Sequence, residues 1–380
     1  MSDPTTDPEV HEQLEEFLEI RKPGAHLDEG VIADDFVLML GVDLVNFPKF
    51  SRVDDGVTYP RAGLDIRQQL DVESGAELPD YNGPYRADLR FTDFSKEALA
   101  GKFLPWSEKY LQLCVDGWAT EVAKRYGAEA MAEIEWAAWN DQIAPELERM
   151  KNEFLPAGAV YHDPNRAVPA ADRSTTRVVY TGLFTPGANI ADLSKAQLVT
   201  WFLGSHEYLL QCIEGWAAQI VVRHSLDEMF DIQWTLWGDS VLPGVKKLKA
   251  EYLGITGNTV EDWMKDLQVD ATALPGKAFD LSFEMPEPEV GIMTFNRCVA
   301  VDQWEAMGRP DILEKNCHST CPKSMIKTTA MYNPNMKVDI LAIPPRVDEG
   351  DVCCKWRFSM RTEDDPEYVP VELTTKPDRP

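Results

Sequence analysis

Tyr110 to Pro145 (YLQLCVDGWATEVAKRYGAEAMAEIEWAAWNDQIAP) aligns without a gap beneath Tyr208 to Pro243 (YLLQCIEGWAAQIVVRHSLDEMFDIQWTLWGDSVLP) at an offset of 98, with 13 of 36 positions identical. Unrelated segments would share roughly two or three, so internal duplication is the economical reading. The likeness continues upstream at an offset of 99, where YNGPYRADLRFTDFS from Tyr81 answers YTGLFTPGANIADLS from Tyr180. Within each copy the period is helical. Tyr110, Cys114, Trp118, Val122 and Arg125, answered by Tyr208, Cys212, Trp216, Ile220 and Arg223, draw one stripe along a helix. Ser95 and Ser194 stand where an N-cap belongs, and Trp136 with Trp139, like Trp234 with Trp237, share a face of the next helix. Two similar helical hairpins or small bundles, packed about a pseudo-twofold axis, are expected.

Aromatic stripes at this spacing are core, whereas the polar positions leave other roles open. Asp116 and Glu214 keep a carboxylate, Arg125 and Arg223 a guanidinium, and Asp141 and Asp239 a second acid. The copies diverge where Glu108 answers His206 and Tyr126 answers His224. One copy of a duplicated unit can keep scaffold while the other keeps chemistry. His206, with Glu207 and Glu214, is therefore an acid–base or metal candidate, against the rival reading of a lone surface or core histidine.

The 380 residues suffice for two or three domains, and 37 basic against 64 acidic residues give a formal charge of −27. That charge repels phosphate backbones and anionic membrane surfaces, so neither nucleic acid nor membrane is an expected partner. The start, MSDPTTDPEVHEQLEEFLEI, has acid where a signal peptide needs base, and no stretch matches a membrane span. A soluble cytoplasmic protein is expected, its seven cysteines reduced or ligated. A homo-oligomer stays open.

The expected fold class is α+β: tandem duplicated Trp-rich helical units followed by a small cysteine-rich α+β domain. The divisions read as an acidic arm and docking segment over 1–80, with Val31 to Val53 docking on the helices. Helical units follow over 81–155 and 180–253, joined by a connector from Pro156 to Arg177. A second connector, Thr256 to Lys277, leads to a cysteine-rich domain over 275–361 and a tail over 362–380. In the last domain Phe279 to Phe283, Met336 to Ile343 and Cys354 to Met360 suit strands, while Val299 to Met307 and the region of Ile312 suit helix.

Five of the seven cysteines, Cys298, Cys317, Cys321, Cys353 and Cys354, fall after residue 297. Cys317 and Cys321 are four apart, so an α-helix would point both sulfurs to one side. Strand pairing can bring Cys298 and Cys354 to them. The four thiolates Cys298, Cys317, Cys321 and Cys354 suit zinc, iron or an iron–sulfur cluster. Buried free thiols, and a nucleophilic cysteine served by His318, are the alternatives, with Glu305 a further carboxylate.

The run Arg297-Cys298, then Cys317, then Ile343-Pro344-Pro345 and Cys354-Lys355-Trp356-Arg357-Phe358, together with Val115-Asp116-Gly117-Trp118, resembles a loosely defined prokaryotic group related to the L-2-amino-thiazoline-4-carboxylate hydrolase family. The pattern departs ahead of the double proline, where a cysteine pair is replaced by Val338-Asp339-Ile340-Leu341-Ala342. The resemblance implies hydrolysis of a cyclic C–N bond in a small heterocycle. The expected function is an enzyme with a small-molecule substrate held between the helical units and the cysteine-rich domain. His206, Glu214, Asp116, His318 and Glu305 are its candidate catalytic groups. A metal-dependent redox or lyase enzyme, and a non-catalytic binding or accessory subunit with a structural metal, are the rivals.

Overall fold

The computed structural model describes residues 76–144, 177–178, 180, 193–270, 279–298, 301, 305, 310–346 and 352–369. Nearly all of the expected arm, the docking segment, the first connector except its last residue, most of the expected helix from Val299 and the end of the tail lie outside the described residues. The described part is α+β: a helical layer followed by a four-stranded antiparallel sheet. No helix among the described residues is long and apolar enough to cross a membrane.

The first helical stretch opens at α1 (Lys96–Ala98), where Ser95 Oγ accepts from the amide of Ala98 at 3.0 Å. It passes through a π-turn, Leu99–Phe103, into α2 (Leu104–Tyr126). Gly127, at φ 92°, lets the chain turn into α3 (Ala128–Ala138), which ends in a second π-turn, Trp139–Ile143. The later stretch begins at α4 (Lys195–Arg223), where Ser194 and Gln197 form a reciprocal capping box. It continues as α5 (Leu226–Leu236), a π-turn Trp237–Val241, and α6 (Leu242–Leu253). The π-turns Trp139–Ile143 and Trp237–Val241 lie at the offset of 98 at which the two sequences align. The offset changes from 99 at Ser95 to 98 at Tyr110, so the first stretch holds one more residue there. A π-turn accommodates one extra residue in a helix, and Leu99–Phe103 is such a turn, whereas α4 runs unbroken.

Corresponding residues of α2 and α4 meet each other. Ser107 Oγ and Ser205 Oγ are hydrogen bonded at 2.6 Å, and the rings of Tyr126 and His224 stack at 3.7 Å. Like positions touch at Ser107 with Ser205 and again, 19 residues on, at Tyr126 with His224, so the two helices run parallel and in register for about 28 Å. Trp106, Trp118, Trp201 and Trp216 are fully buried around this pair. Truncating any one to alanine would cost about 3–5 kcal/mol.

Thr256 to Lys277 is not merely a connector. It contains α7 (Val260–Val269), started by a capping box between Thr259 and Asp262, with Val260 and Trp263 to Val269 all buried. A helix of ten residues with Lys265, Asp266 and Gln268 in its middle reads as polar in sequence; burial comes from neighbours on both sides. Lys265 Nζ donates to the carbonyl of Gly83 at 2.9 Å, and Gln268 Nε2 to that of Arg86 at 2.9 Å. On its other side α7 packs on the sheet, with Trp263 edge-on to Phe358 at 5.7 Å.

The sheet comprises β1 (Phe279–Glu287), β2 (Val290–Cys298), β3 (Met336–Ala342) and β4 (Cys354–Met360), in the order β1-β2-β4-β3. The strand β2 was not among those expected. Gly291 on it lies so close to α7 that a β-carbon there would meet Met264 Sδ at 2.5 Å. Between β2 and β3 come α8 (Pro310–Lys315), a π-turn Asn316–Thr320 and α9 (Cys321–Tyr332). That π-turn corrects the simple α-helical spacing expected of Cys317 and Cys321.

Candidate active site

A cavity of about 370 Å³ opens where α4, α5 and α6 face α7, α9 and β2. This volume suits a small organic molecule. Its walls are largely aromatic and aliphatic: Trp234, Trp237, Trp263, Phe295, Met293 and Met325 among them. Two π-turns contribute Trp237 on one side and Asn316 with Thr320 on the other.

Ionised groups sit in one part of this apolar wall. Lys246 and Lys249 are three apart on α6 and hence on one helical face. Asp266 and Asp270 are four apart on α7 and its C-cap. Lys249 Nζ donates to Asp266 Oδ2 at 2.8 Å and to Asp270 Oδ2 at 2.6 Å, with side-chain exposures of 1%, 7% and 14% for the three. An ammonium this deep is tenable only beside carboxylates. Burial alone would lower the Lys249 pKa, but Asp266 and Asp270 hold it above the ordinary lysine value. Burial, and the neighbouring charge of Asp270, raise the Asp266 carboxyl above the usual range despite Lys249. The phenol of Tyr332 donates to Asp266 Oδ1, and burial together with Asp266 raises that phenol's own pKa.

Lys246 is placed differently. Its Nζ donates to the carbonyl of Met331 at 2.6 Å and lies 4.4 Å from the centroid of the Tyr332 ring. Burial lowers its pKa, and the nearby Asp266 only partly reverses this. Tyr110, from α2, completes this part of the wall, its phenol held un-ionised by burial and by Asp270.

Of the candidate catalytic and metal-ligating residues read from the sequence, Glu214 and Cys321 line this cavity. Glu214 is buried, and Gln142 Nε2 donates to its Oε2 at 3.4 Å. The others lie elsewhere. His206 is fully buried, edge-on to Trp106 at 5.4 Å and to Phe202 at 4.2 Å, a core placement. Asp116 accepts from Arg177 Nη2 at 3.3 Å. His318 is exposed, its Nε2 bonded to the carbonyl oxygen of Pro344 at 2.5 Å, and Glu305 pairs with Arg346. The side chain of Asp239 lies outside those described.

The C-terminal cysteines gather behind Cys321. Burial raises the Cys321 thiol to about 11 and the Cys317 thiol to about 12, the latter also pushed up by Cys321 and Cys353. Burial likewise raises Cys298 and Cys354, each within electrostatic reach of Cys321 and Cys353. Asn316 Nδ2 donates to Cys321 Sγ at 3.5 Å and Trp356 Nε1 to Cys354 Sγ at 3.1 Å. All seven are free thiols, and among the described residues no group of three or more His, Cys, Asp or Glu side chains is placed to hold a metal ion.

Sequence reasoning passed over Lys246, Lys249, Asp266, Asp270 and Tyr332. A signal was present in the Thr259 to Asp262 capping box ahead of an apolar-periodic run, which marks a helix whose polar middle needs partners. No family model matches the chain, and no curated protein or solved structure does either.

Proposed function

We propose that the chain is an enzyme acting on a small organic molecule in this cavity, by hydrolysis of a C–N bond in a small heterocycle. The observation carrying the reading is the buried Lys249–Asp266–Asp270–Tyr332 group in an otherwise apolar pocket. Titratable groups displaced from their ordinary values by burial and by each other are characteristic of catalytic sites. In this chemistry a carboxylate, Asp270 or Asp266, accepts a proton from water as it adds to the electron-poor carbon. Lys249 holds the carboxylate pair in place. Lys246, whose lowered pKa lies nearer to neutrality, gives a proton to the departing nitrogen. The largely apolar walls lower the local polarity, which strengthens each of these electrostatic interactions. The helical layer that carries half the cavity is read here as a tandem duplication, supported by the in-register contacts of α2 with α4.

The test is to incubate the full chain, and separately its Asp270→Asn and Lys246→Met variants, with a mixture of cyclic amides, amidines and thiazolines. Mass spectrometry then follows the products. A product one water heavier than its parent, formed by the wild type and lost in both variants, is expected. Equal turnover by the variants overturns the assigned roles, and no turnover of any compound overturns the hydrolase reading.

A second reading follows from Cys321 lining the cavity with further thiols behind it: a metal-dependent redox or lyase enzyme, using zinc, iron or an iron–sulfur cluster. Elemental analysis of protein purified with and without oxygen separates the two. Stoichiometric iron and sulfide would favour the redox reading, and metal-free protein that retains turnover would remove it.

A further inference from the structure

The wall around Glu214 has a counterpart in the first helical stretch, 98 residues earlier. Glu214, Gln233, Trp234 and Trp237 correspond to Asp116, Glu135, Trp136 and Trp139. At the earlier set, the chain supplies its own occupant. Arg177 Nε donates to both oxygens of Glu135 at 2.9 Å, and its Nη2 reaches Asp116 Oδ1 at 3.3 Å. The amide of Val178 also donates to Glu135, at 3.1 Å. Tyr180 packs edge-on to Trp139 at 5.8 Å, and its hydroxyl accepts from Trp216 Nε1 at 3.1 Å. Under this cover Glu135 is 0% exposed, Trp136 5% and Trp139 3%. A planar cation thus lies between two acids, an arrangement suited to a guanidinium.

At the later set, Trp234, Trp237 and Gln233 are only partly buried and, with Glu214, line the cavity. Trp216, the donor to Tyr180, corresponds to Trp118, whose buried indole N–H has no acceptor among the described residues. The charges of the wall lean negative: Glu214, Asp266 and Asp270 against Lys246 and Lys249. The two lysines are already engaged, with the aspartates and with Met331 respectively. The ring of Trp234 already draws one cation, Lys327, whose Nζ lies 5.3 Å from its centroid and which does not line the cavity.

We propose that the cavity takes a small molecule bearing a planar cationic nitrogen group, a guanidinium or amidinium, held by Glu214 and Gln233 beside Trp234 and Trp237, as Arg177 is held by Asp116 and Glu135. This deepens the proposed function and rests on the cavity being its substrate site. Replacement of Glu135 by Gln233 leaves one carboxylate where the earlier set has two, so the ligand is released more readily than a built-in arginine. The remaining acids, Asp266 and Asp270, lie in the same cavity as the carbon of such a group.

The experiment is a tryptophan-fluorescence titration of the full chain with benzamidine and, separately, with its neutral isostere benzamide. Three tryptophans line the cavity and report occupancy directly, without turnover. Saturable quenching by benzamidine is expected, with benzamide weaker by about tenfold, the scale of a lost charge-assisted hydrogen bond. The near-isosteric Glu214→Gln variant should weaken benzamidine by about tenfold and leave benzamide unchanged. Gln233→Glu, which rebuilds the earlier pair, should tighten benzamidine. Equal binding of the two probes, or benzamidine binding indifferent to both variants, overturns the cation proposal while the cavity remains a small-molecule site. Quenching by neither probe overturns both.

Discussion

Replacing Lys249 by methionine removes the only ammonium bonded to both Asp266 and Asp270 among the described residues, and keeps most of the side-chain volume. The three side chains are exposed by 1%, 7% and 14%, so solvent offers little compensation. Breaking a buried ion pair by deleting one partner costs roughly 3–5 kcal/mol, and here two carboxylates would be left facing each other. Protonation limits the loss. Burial and Asp270 already raise the Asp266 carboxyl, and removal of Lys249 removes the largest influence holding it down. The variant's folded state therefore takes up a proton that its unfolded state has released, and its deficit shrinks as pH falls. Urea unfolding followed by tryptophan fluorescence, at about pH 8 and about pH 5, measures this. The difference from wild type should be several kcal/mol at the higher pH and clearly smaller at the lower. Adding Asp270→Asn to the variant should recover about 1–3 kcal/mol. A Lys249→Met protein as stable as wild type, or one whose deficit is the same at both pH values, would refute the reasoning.

Arg177→Ala strips the guanidinium from the buried Glu135 and should cost about 1–2 kcal/mol in unfolding free energy, less than for a fully buried pair because the Arg177 side chain is 40% exposed, with Glu135→Gln in the same chain returning part of it. In an ultraviolet titration, Tyr110 and Tyr332 should stay un-ionised well above the ordinary value of 10.0, because burial first and the nearby aspartates second raise both. Their folded pKa values exceed the unfolded one, so the stability they contribute is complete below about pH 10 and is lost as pH climbs through the raised values; unfolding and phenolate formation should coincide. Ser107→Ala and Ser205→Ala, made singly and together, should show a coupling of about 1 kcal/mol in a double-mutant cycle. Gly215→Ala places a β-carbon 2.9 Å from Ile143 Cγ1 and should lower thermal stability by about 1–3 kcal/mol, relieved when Ile143 is trimmed to alanine.

What could be read from the sequence was what periodicity controls. The helices carrying Trp118 and Trp216, the serine caps at Ser95 and Ser194, and three of the four strands follow from local pattern, because each side chain's burial repeats with the geometry of its own element. The residues of the site follow no such rule. Lys249, Asp266 and Asp270 lie at positions that a short amphipathic helix gives to solvent, and become interior only when α6, α7 and the sheet close on them. Glu214 was visible as a retained acid, yet its surroundings were not, since they come from Gln142 on the first stretch and Trp237 on a π-turn. His206 attracted notice because histidine can titrate, whereas its position between Trp106 and Phe202 depends on a helix crossing that no single-element pattern describes. The α-helical spacing that the sequence suggests for Cys317 and Cys321 is replaced by a π-turn at Asn316–Thr320, a local widening of the helix that cysteine spacing alone does not announce.

The in-register pairing of α2 with α4 has the form of a two-subunit contact written into one polypeptide. In a true homodimer every substitution occurs twice, so closing one crevice closes its twin. On a single chain Glu135 and Gln233 are separate codons, as are Trp118 and Trp216. If the two stretches are a duplication, as proposed, then one crevice holds Arg177 and Tyr180 while its counterpart is open as a cavity, an asymmetry that two identical subunits have no means of encoding.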